Sequence, residues 1–400
     1  MSGGDGWQGD VLRDLGAGPQ QGVQGSGGYP YPRQEQQAGQ QVGQWQQAGY
    51  QQQPQHQGHG QDQGQHHGKG QVQYQRQEQP APAAYALNSP SHTAPQSQPV
   101  VGEGLADAVL RKPQHGESFS ARAVRIVRRT LSSSAAHEVA DVTRTASVLQ
   151  QPVTTGRQIA VTSIRGGSGK STVAALLGTA YAHYRQDPVL FLEADPALGS
   201  LPLRLGAQTR RWTTSEIADI VKPDMSLLDV TGYLVQLPNN AWLLPASKGE
   251  IGVMLDSRAY ERAVVALRRY FGVMVVDCET LPAEVARVAL AASHGRVLTA
   301  PATPEGVTST YAVLQWMQKL PRQVIAGTVV VLTELVPHQG LDLDQVARQL
   351  KSAGVSVQVL PYDRHLAAGG PVRTEYLAAP TREAAARIAA DVFQLSQKRY

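Results

Sequence analysis

The 400-residue chain has a single cysteine, Cys278, so no disulfide can form within it. Its first residues, MSGGDGWQGDVLRDLG, lack the basic start and apolar run of a secretory leader. No stretch approaches the roughly 18 consecutive apolar residues of a membrane-spanning helix. These absences predict a cytoplasmic protein, one that reaches the inner face of a membrane only through a partner. Isoleucine, leucine and valine are also scarce in the first 100 residues, which instead hold 27 Gln with much Gly, Pro and Tyr. Such a segment cannot bury enough apolar surface to offset the entropy of ordering its backbone. Residues 1–117 are therefore expected to form a disordered Gln/Gly/Pro-rich tail. Its composition fits a sticky, partner-recruiting tether and a passive tail equally well.

Charge divides the chain in the same place. Residues 1–117 carry 6 Lys+Arg against 9 Asp+Glu, while the chain as a whole has a net charge of +4. The remainder is thus basic, which suits a solvated basic face with cations around an anionic ligand, or contact with nucleic acid. Residues 118–155 read as a basic transition segment. Arg122, Arg125 and Arg129 recur there at helical spacing, with Val124, Ile126 and Val127 among them. The pattern fits a lead-in helix packed on the following domain, or a basic amphipathic helix.

From residue 156 to residue 400 the pattern changes. Short apolar runs at Ile159–Ser163, Val189–Leu192, Val273–Val276, Arg296–Ala300, Thr328–Leu332 and Val355–Leu360 alternate with helical segments. Continuous apolar runs separated by helices predict an α/β domain: a mostly parallel sheet covered by helices on both faces. Ligands of such sheets bind at the carboxyl ends of the strands.

One of those ends carries the strongest chemical signal. The run Ile159-Ala-Val-Thr-Ser-Ile-Arg-Gly-Gly-Ser-Gly-Lys-Ser-Thr passes from a strand through a glycine-rich loop into a helix. Gly166, Gly167 and Gly169, with Ser168 between them, let the backbone curl so that its amides converge on phosphate oxygens. The helix opening at Lys170-Ser171-Thr172 turns its positive end to the same anion. Lys170 can reach the β and γ phosphates, and the Ser171 hydroxyl is placed to ligate Mg²⁺. The pattern therefore predicts a P-loop for ATP and Mg²⁺. Two carboxylates follow at later strand ends. Val189-Leu-Phe-Leu-Glu-Ala-Asp-Pro places Asp195 after one strand, and Phe271-Gly-Val-Met-Val-Val-Asp-Cys ends another on Asp277, in the manner of a Walker B aspartate beside the metal. Cys278 has no obvious base nearby and reads as a small core residue. Five of the eleven His, including His66-His67, precede residue 100 and read as solvated.

The loop departs from the standard P-loop at Ile164 and resembles instead the Lys-Gly-Gly-x-Gly-Lys-Ser/Thr form of the MinD/ParA group of ATPases. Arg165 stands where that group has its signature Lys, a residue that crosses a dimer interface to the partner's nucleotide. Arginine can make the same charge contact bidentately. Asp195 matches the group's water-positioning, Mg²⁺-contacting residue, and Glu193 replaces the Asp two positions earlier. Leu298 to Val307 is similar to the strand, loop and helix after Walker B. Leu360-Pro-Tyr-Asp resembles the late Pro-x-Asp loop near the base, which assigns Pro361 and Asp363 to the nucleotide site. Thr333-Glu334 stands where many relatives have an adenine-reading Asn.

Within the group, Arg185 to Leu190, Gly199 to Gly206 and Thr381 to Ala390 look most like the ATPases of actinobacterial type VII (ESX) secretion, which also carry low-complexity N-terminal extensions. The resemblance implies an ATP-dependent homodimer, slow hydrolysis using Lys170, Asp195 and Arg165, and type VII secretion components as partners. Two other outputs fit the residues: a partition ATPase binding DNA nonspecifically through Arg204, Arg210, Arg211, Arg268 and Arg269, and a nucleotide-binding scaffold without turnover. The terminal helix, Thr381 to Gln397, is expected to pack on the core.

Overall fold

The computed structural model describes residues 98–99 and 135–398, apart from 198, 251 and 338–340. Most of the tail, and the Arg122–Arg129 stretch of the transition segment, lie outside the described residues.

Eight strands form one sheet. In chain order, with their intervening helices, the elements are β1 (Gln98–Pro99), α1 (Ala135–Leu149), β2 (Arg157–Ser163), α2 (Lys170–Tyr184), β3 (Val189–Ala194), α3 (Leu201–Arg204), β4 (Thr209–Arg210), α4 (Thr214–Ile220), α5 (Leu227–Thr231), β5 (Val235–Leu237), β6 (Ala241–Leu244), α6 (Ser257–Leu267), β7 (Val273–Cys278), α7 (Glu284–Ala292), β8 (Gly295–Pro301), α8 (Pro304–Met317), α9 (Arg322–Ala326), β9 (Thr328–Thr333), α10 (Leu343–Lys351), β10 (Ser356–Leu360), α11 (Arg364–Ala367) and α12 (Ala379–Gln397). The large sheet has the order β10-β9-β8-β2-β7-β3-β6-β5. Every pairing in it is parallel except that of the edge strand β5, which returns antiparallel on β6. Strands β1 and β4 form a separate two-residue antiparallel ladder. The mostly parallel sheet matches the alternation read from the sequence.

Alternation along each strand divides the core into layers, because successive side chains point to opposite faces. Ile159, Val161, Phe191, Val275, Val297 and Val331 meet α2 and α12 on one face. On the other, Ala160, Leu190, Met274 and Val276 pack with α4, α6 and α7, and Leu298, Val330 and Leu332 with α8, α9 and α10. Both faces are covered, so the strands are apolar almost throughout. Helix α12 buries Ala385, Ile388, Ala389, Val392 and Phe393, so it is a core-packed helix as expected. Helix α1, in the second half of the transition segment, packs on α12 and α2 and buries Leu149 completely.

Two devices position the edge that matters. The chain runs from β2 to β3 on one side and from β8 to β9 on the other, so the crevice beside the end of β2 is a topological switch point. Helix α2 also lies close to the sheet at Gly178, where a Cβ would overlap the Phe191 ring.

Candidate functional site

The loop from β2 to α2 takes the conformation its glycines permit. Gly167 and Gly169 have φ of 75° and 85°, values that residues with a Cβ rarely adopt. Gly169 caps α2 without any side-chain hydrogen bond, so the first-turn amides of the helix have no intrahelical partner and face the loop's concavity. Nothing lies within 4 Å of where a Cβ on Gly166 or Gly167 would sit, which leaves room above the loop for a bulky anion. From beneath, the Ser168 hydroxyl shares a hydrogen bond of 2.8 Å with that of Thr299, and Thr333 Oγ1 donates to the Ser168 carbonyl at 3.0 Å. Ser168 and Thr333 therefore turn their hydroxyls inward. Both hydrogen bonds brace the loop from the ends of β8 and β9.

Cations and carboxylates flank this cradle on the β7 side. Lys170 Nζ donates to Thr280 Oγ1 at 3.1 Å. Asp277 is fully buried, and neither carboxylate oxygen has a hydrogen-bond partner of good geometry. Burial pushes its pKa up to about 7, against the pull of the neighbouring Ser171 hydroxyl and the Lys170 ammonium. On the adjacent strand and in register with it lies Glu193, also buried. Its Oε2 accepts from the Ala246 amide at 3.1 Å, and burial raises its pKa to about 8. Asp195 begins the loop after β3 and adds its charge to the fields at Glu193, Asp277 and Glu279. The expected Asp195, Asp277, Lys170 and Ser171 thus converge. Glu279 and Thr280 are additions that sequence reading missed, although both come just after Cys278, where the strand ends.

The residues present fit a magnesium nucleotide. A buried carboxylate with two unpartnered oxygens beside a hydroxyl is what a hydrated divalent cation requires, and the open amide loop beside it suits phosphate. Among the described residues no group of three or more His, Cys, Asp or Glu is arranged to hold a metal ion.

Arg165 stands apart. Its side chain is exposed, and its Nε donates to Ser309 Oγ on α8 at 3.0 Å, away from the cradle. Pro361 and Asp363 follow β10 at the same sheet edge. Asp363 spends its carboxylate on main-chain amides: Oδ1 accepts from His365 and Leu366, and Oδ2 from Ala378. Its visible task is to hold that loop. Of the five arginines considered for DNA, Arg204, Arg210 and Arg211 follow β3, near the carboxyl edge. Arg268 and Arg269 precede β7, at the opposite edge, so the set forms no single basic face. Cys278 is buried, consistent with a core role.

No family model matches the chain. ESX-1 secretion-associated protein EspI of Mycobacterium tuberculosis is 28% identical over 227 residues, which cover 55% of this chain and 34% of EspI. The septum site-determining protein MinD of Synechocystis is 32% identical over 122 residues, 30% of this chain and 44% of that protein. The glycine loop resembles that of the MinD/ParA group, and the MinD match agrees with that resemblance. The chain spans about a third of the length of EspI, the relative with the longer match of these two. A ParA family ATPase of Chlorobium tepidum superposes with a TM-score of 0.48 at 16% identity, over 58% of this chain and 98% of that one. Among the described residues no helix is long and apolar enough to cross a membrane.

Proposed function

We propose that the chain is an ATP-binding, slowly hydrolysing switch protein that acts in or regulates type VII secretion. The observation that carries the reading is the open glycine loop, with Lys170 at its end, set beside a buried Asp277 that neighbours the Ser171 hydroxyl and has no hydrogen bond of good geometry. The amides of residues 166–172 would hold the β and γ phosphates, with Lys170 leaving Thr280 to meet them. Ser171 and Asp277 would hold Mg²⁺, which supplies neutralisation of the charge on those phosphate oxygens when bound. Asp195 would orient the attacking water. Arg165, exposed in the glycine loop, would leave Ser309 of α8 to reach a second copy across a face-to-face dimer. Bound ATP would favour that dimer and hydrolysis would release it, changing affinity for a partner. The secretion context rests on the match to EspI.

Calorimetry with MgATP and a phosphate-release assay test the reading. The native chain is expected to bind MgATP and release phosphate slowly, and Lys170→Ala to lose binding. Equal MgATP affinity in the two proteins would overturn the site. Binding without any phosphate release would leave the scaffold reading in place of the ATPase.

A further inference from the structure

On the nucleotide reading above, the β7 side of the loop, with Lys170, Asp277 and Asp195, would take the terminal phosphate, and the nucleoside would extend the other way, toward Thr333 at the end of β9 and the loop leaving β10. That loop, residues 361–378, is anchored within itself near its two ends, by the short helix α11 and by the turn at Thr374–Tyr376. Asp363 gathers three of its amides, and His365 Nε2 accepts from the Arg373 amide at 3.0 Å. Its middle is held from outside by α3. Arg204 Nη1 donates to the Leu366 carbonyl at 3.3 Å and lies 3.5 Å from that of Gly370. The Arg204 carbonyl accepts from the Val372 amide at 2.7 Å, and Gly206 lies beside Pro371. Half-buried, with no carboxylate at ion-pair distance among the described residues, the guanidinium has its pKa lowered by burial. A cation desolvated in this way is a stability cost with no compensating charge, and its only visible return is the shape of the loop.

Helix α3 itself is continuous with the Asp195 segment. The Gly199 amide donates to the Asp195 carbonyl at 3.2 Å, that of Arg204 donates to Ser200, and α3 packs on α2. One continuous set of contacts thus runs from Asp195 through α3 to the loop.

We propose that Arg204 is a positioning residue for nucleoside recognition: it holds the 361–378 loop in its receptive shape and ties it to the Asp195 segment. The proposal rests on the nucleotide reading above. It separates the two halves of the ligand, since Arg204 touches the loop beyond β10 and nothing in the glycine loop. The test titrates native, Arg204→Gln and Arg204→Lys proteins with MgATP and with Mg-tripolyphosphate, which has no nucleoside. In Arg204→Gln, MgATP affinity should fall about tenfold or more, the effect of leaving carbonyls unpaired and the loop unheld, while tripolyphosphate affinity stays unchanged. Arg204→Lys keeps the charge and should restore part of the loss. Should Arg204→Gln not fold, the lysine variant decides, with a smaller loss confined to MgATP. Unchanged MgATP affinity in the folded variants, or equal losses for both ligands, overturns the proposal. A native protein that binds tripolyphosphate but not ATP also overturns it, whereas one that binds neither defeats the nucleotide reading itself.

Discussion

Asp277 places stability and function in opposition within one side chain. A fully buried carboxylate with no hydrogen-bond partner of good geometry is costly, and its pKa of about 7 measures the cost of holding it charged. Asp277→Asn removes the charge and little volume. The ligand-free variant should therefore melt no lower than the native protein, while the Mg²⁺-dependent stabilisation by ATP should disappear. A lower midpoint without ligand, together with intact stabilisation by MgATP, would reverse both assignments. His294 shows the opposite sign at a site of pure structure. Burial, then the charges of Arg157, Arg268 and Arg296, depress its pKa to about 4, and its Nδ1 accepts the Gln158 amide. The folded state thus binds fewer protons than the unfolded state between pH 6.5 and about 4. Stability from this residue is present above pH 6.5 and is lost as the pH falls through that window. Melting followed from pH 7 to 4 should show a decline that His294→Asn, which keeps an acceptor, makes shallower; equal slopes would remove His294 from the account.

Among the elements, α2 shows how packing overrides local propensity. Gly178 is in mid-helix, where alanine would ordinarily be favoured by about 1 kcal/mol. Here a Cβ would overlap Phe191 of β3, which is itself 1% exposed and cannot swing aside. Overpacking of a filled core costs about 1–3 kcal/mol. Gly178→Ala should therefore lower stability by about that amount in denaturant unfolding, and a stabilised variant would mean that the helix and sheet can separate freely. The same logic explains what the sequence could reveal. Strands β3, β7, β8 and β9 are buried on both faces, and their apolar runs announce them; β2 is buried beyond Arg157, and the edge strand β10 is only partly so. Helix α2 follows from a loop whose conformation only glycine tolerates. The edge hairpin of β5 and β6 is short, no residue of β5 is fully buried, and Asn239 and Asn240 turn between them at positive φ, so its signal is faint. Asp195 and Asp277 were legible because each closes an apolar strand. Thr280, Thr299 and Arg204 were not, since their importance comes from contacts 110, 131 and 162 residues away in the chain.

For the molecule as a whole, the decisive question is where the cooperative unit starts. The P-loop signature suggests a domain opening just before β2, yet α1 is built into the same core as α2 and α12. Leu149 is fully buried there, and Val148 packs beside it. The join is made by Arg185, at the end of α2, whose Nη1 donates to the carbonyls of Leu149 at 2.7 Å and Gln151 at 2.8 Å. Its Nη2 pairs with Asp187, and its Cζ lies 4.6 Å from the centre of the Phe393 ring in α12. One guanidinium thus ties three helices together at the end of the sheet remote from the P-loop. Arg185→Ala would strand two buried or half-buried carbonyls and one aromatic face, a cost of about 2–4 kcal/mol by the measure of such losses elsewhere. If α1 is part of the unit, unfolding of this variant should remain a single transition at lower denaturant, with hydrogen exchange quickening in α1, α2 and α12 together. If α1 alone exchanges faster while the midpoint is unmoved, the helix is an appendage and the cooperative unit begins at β2.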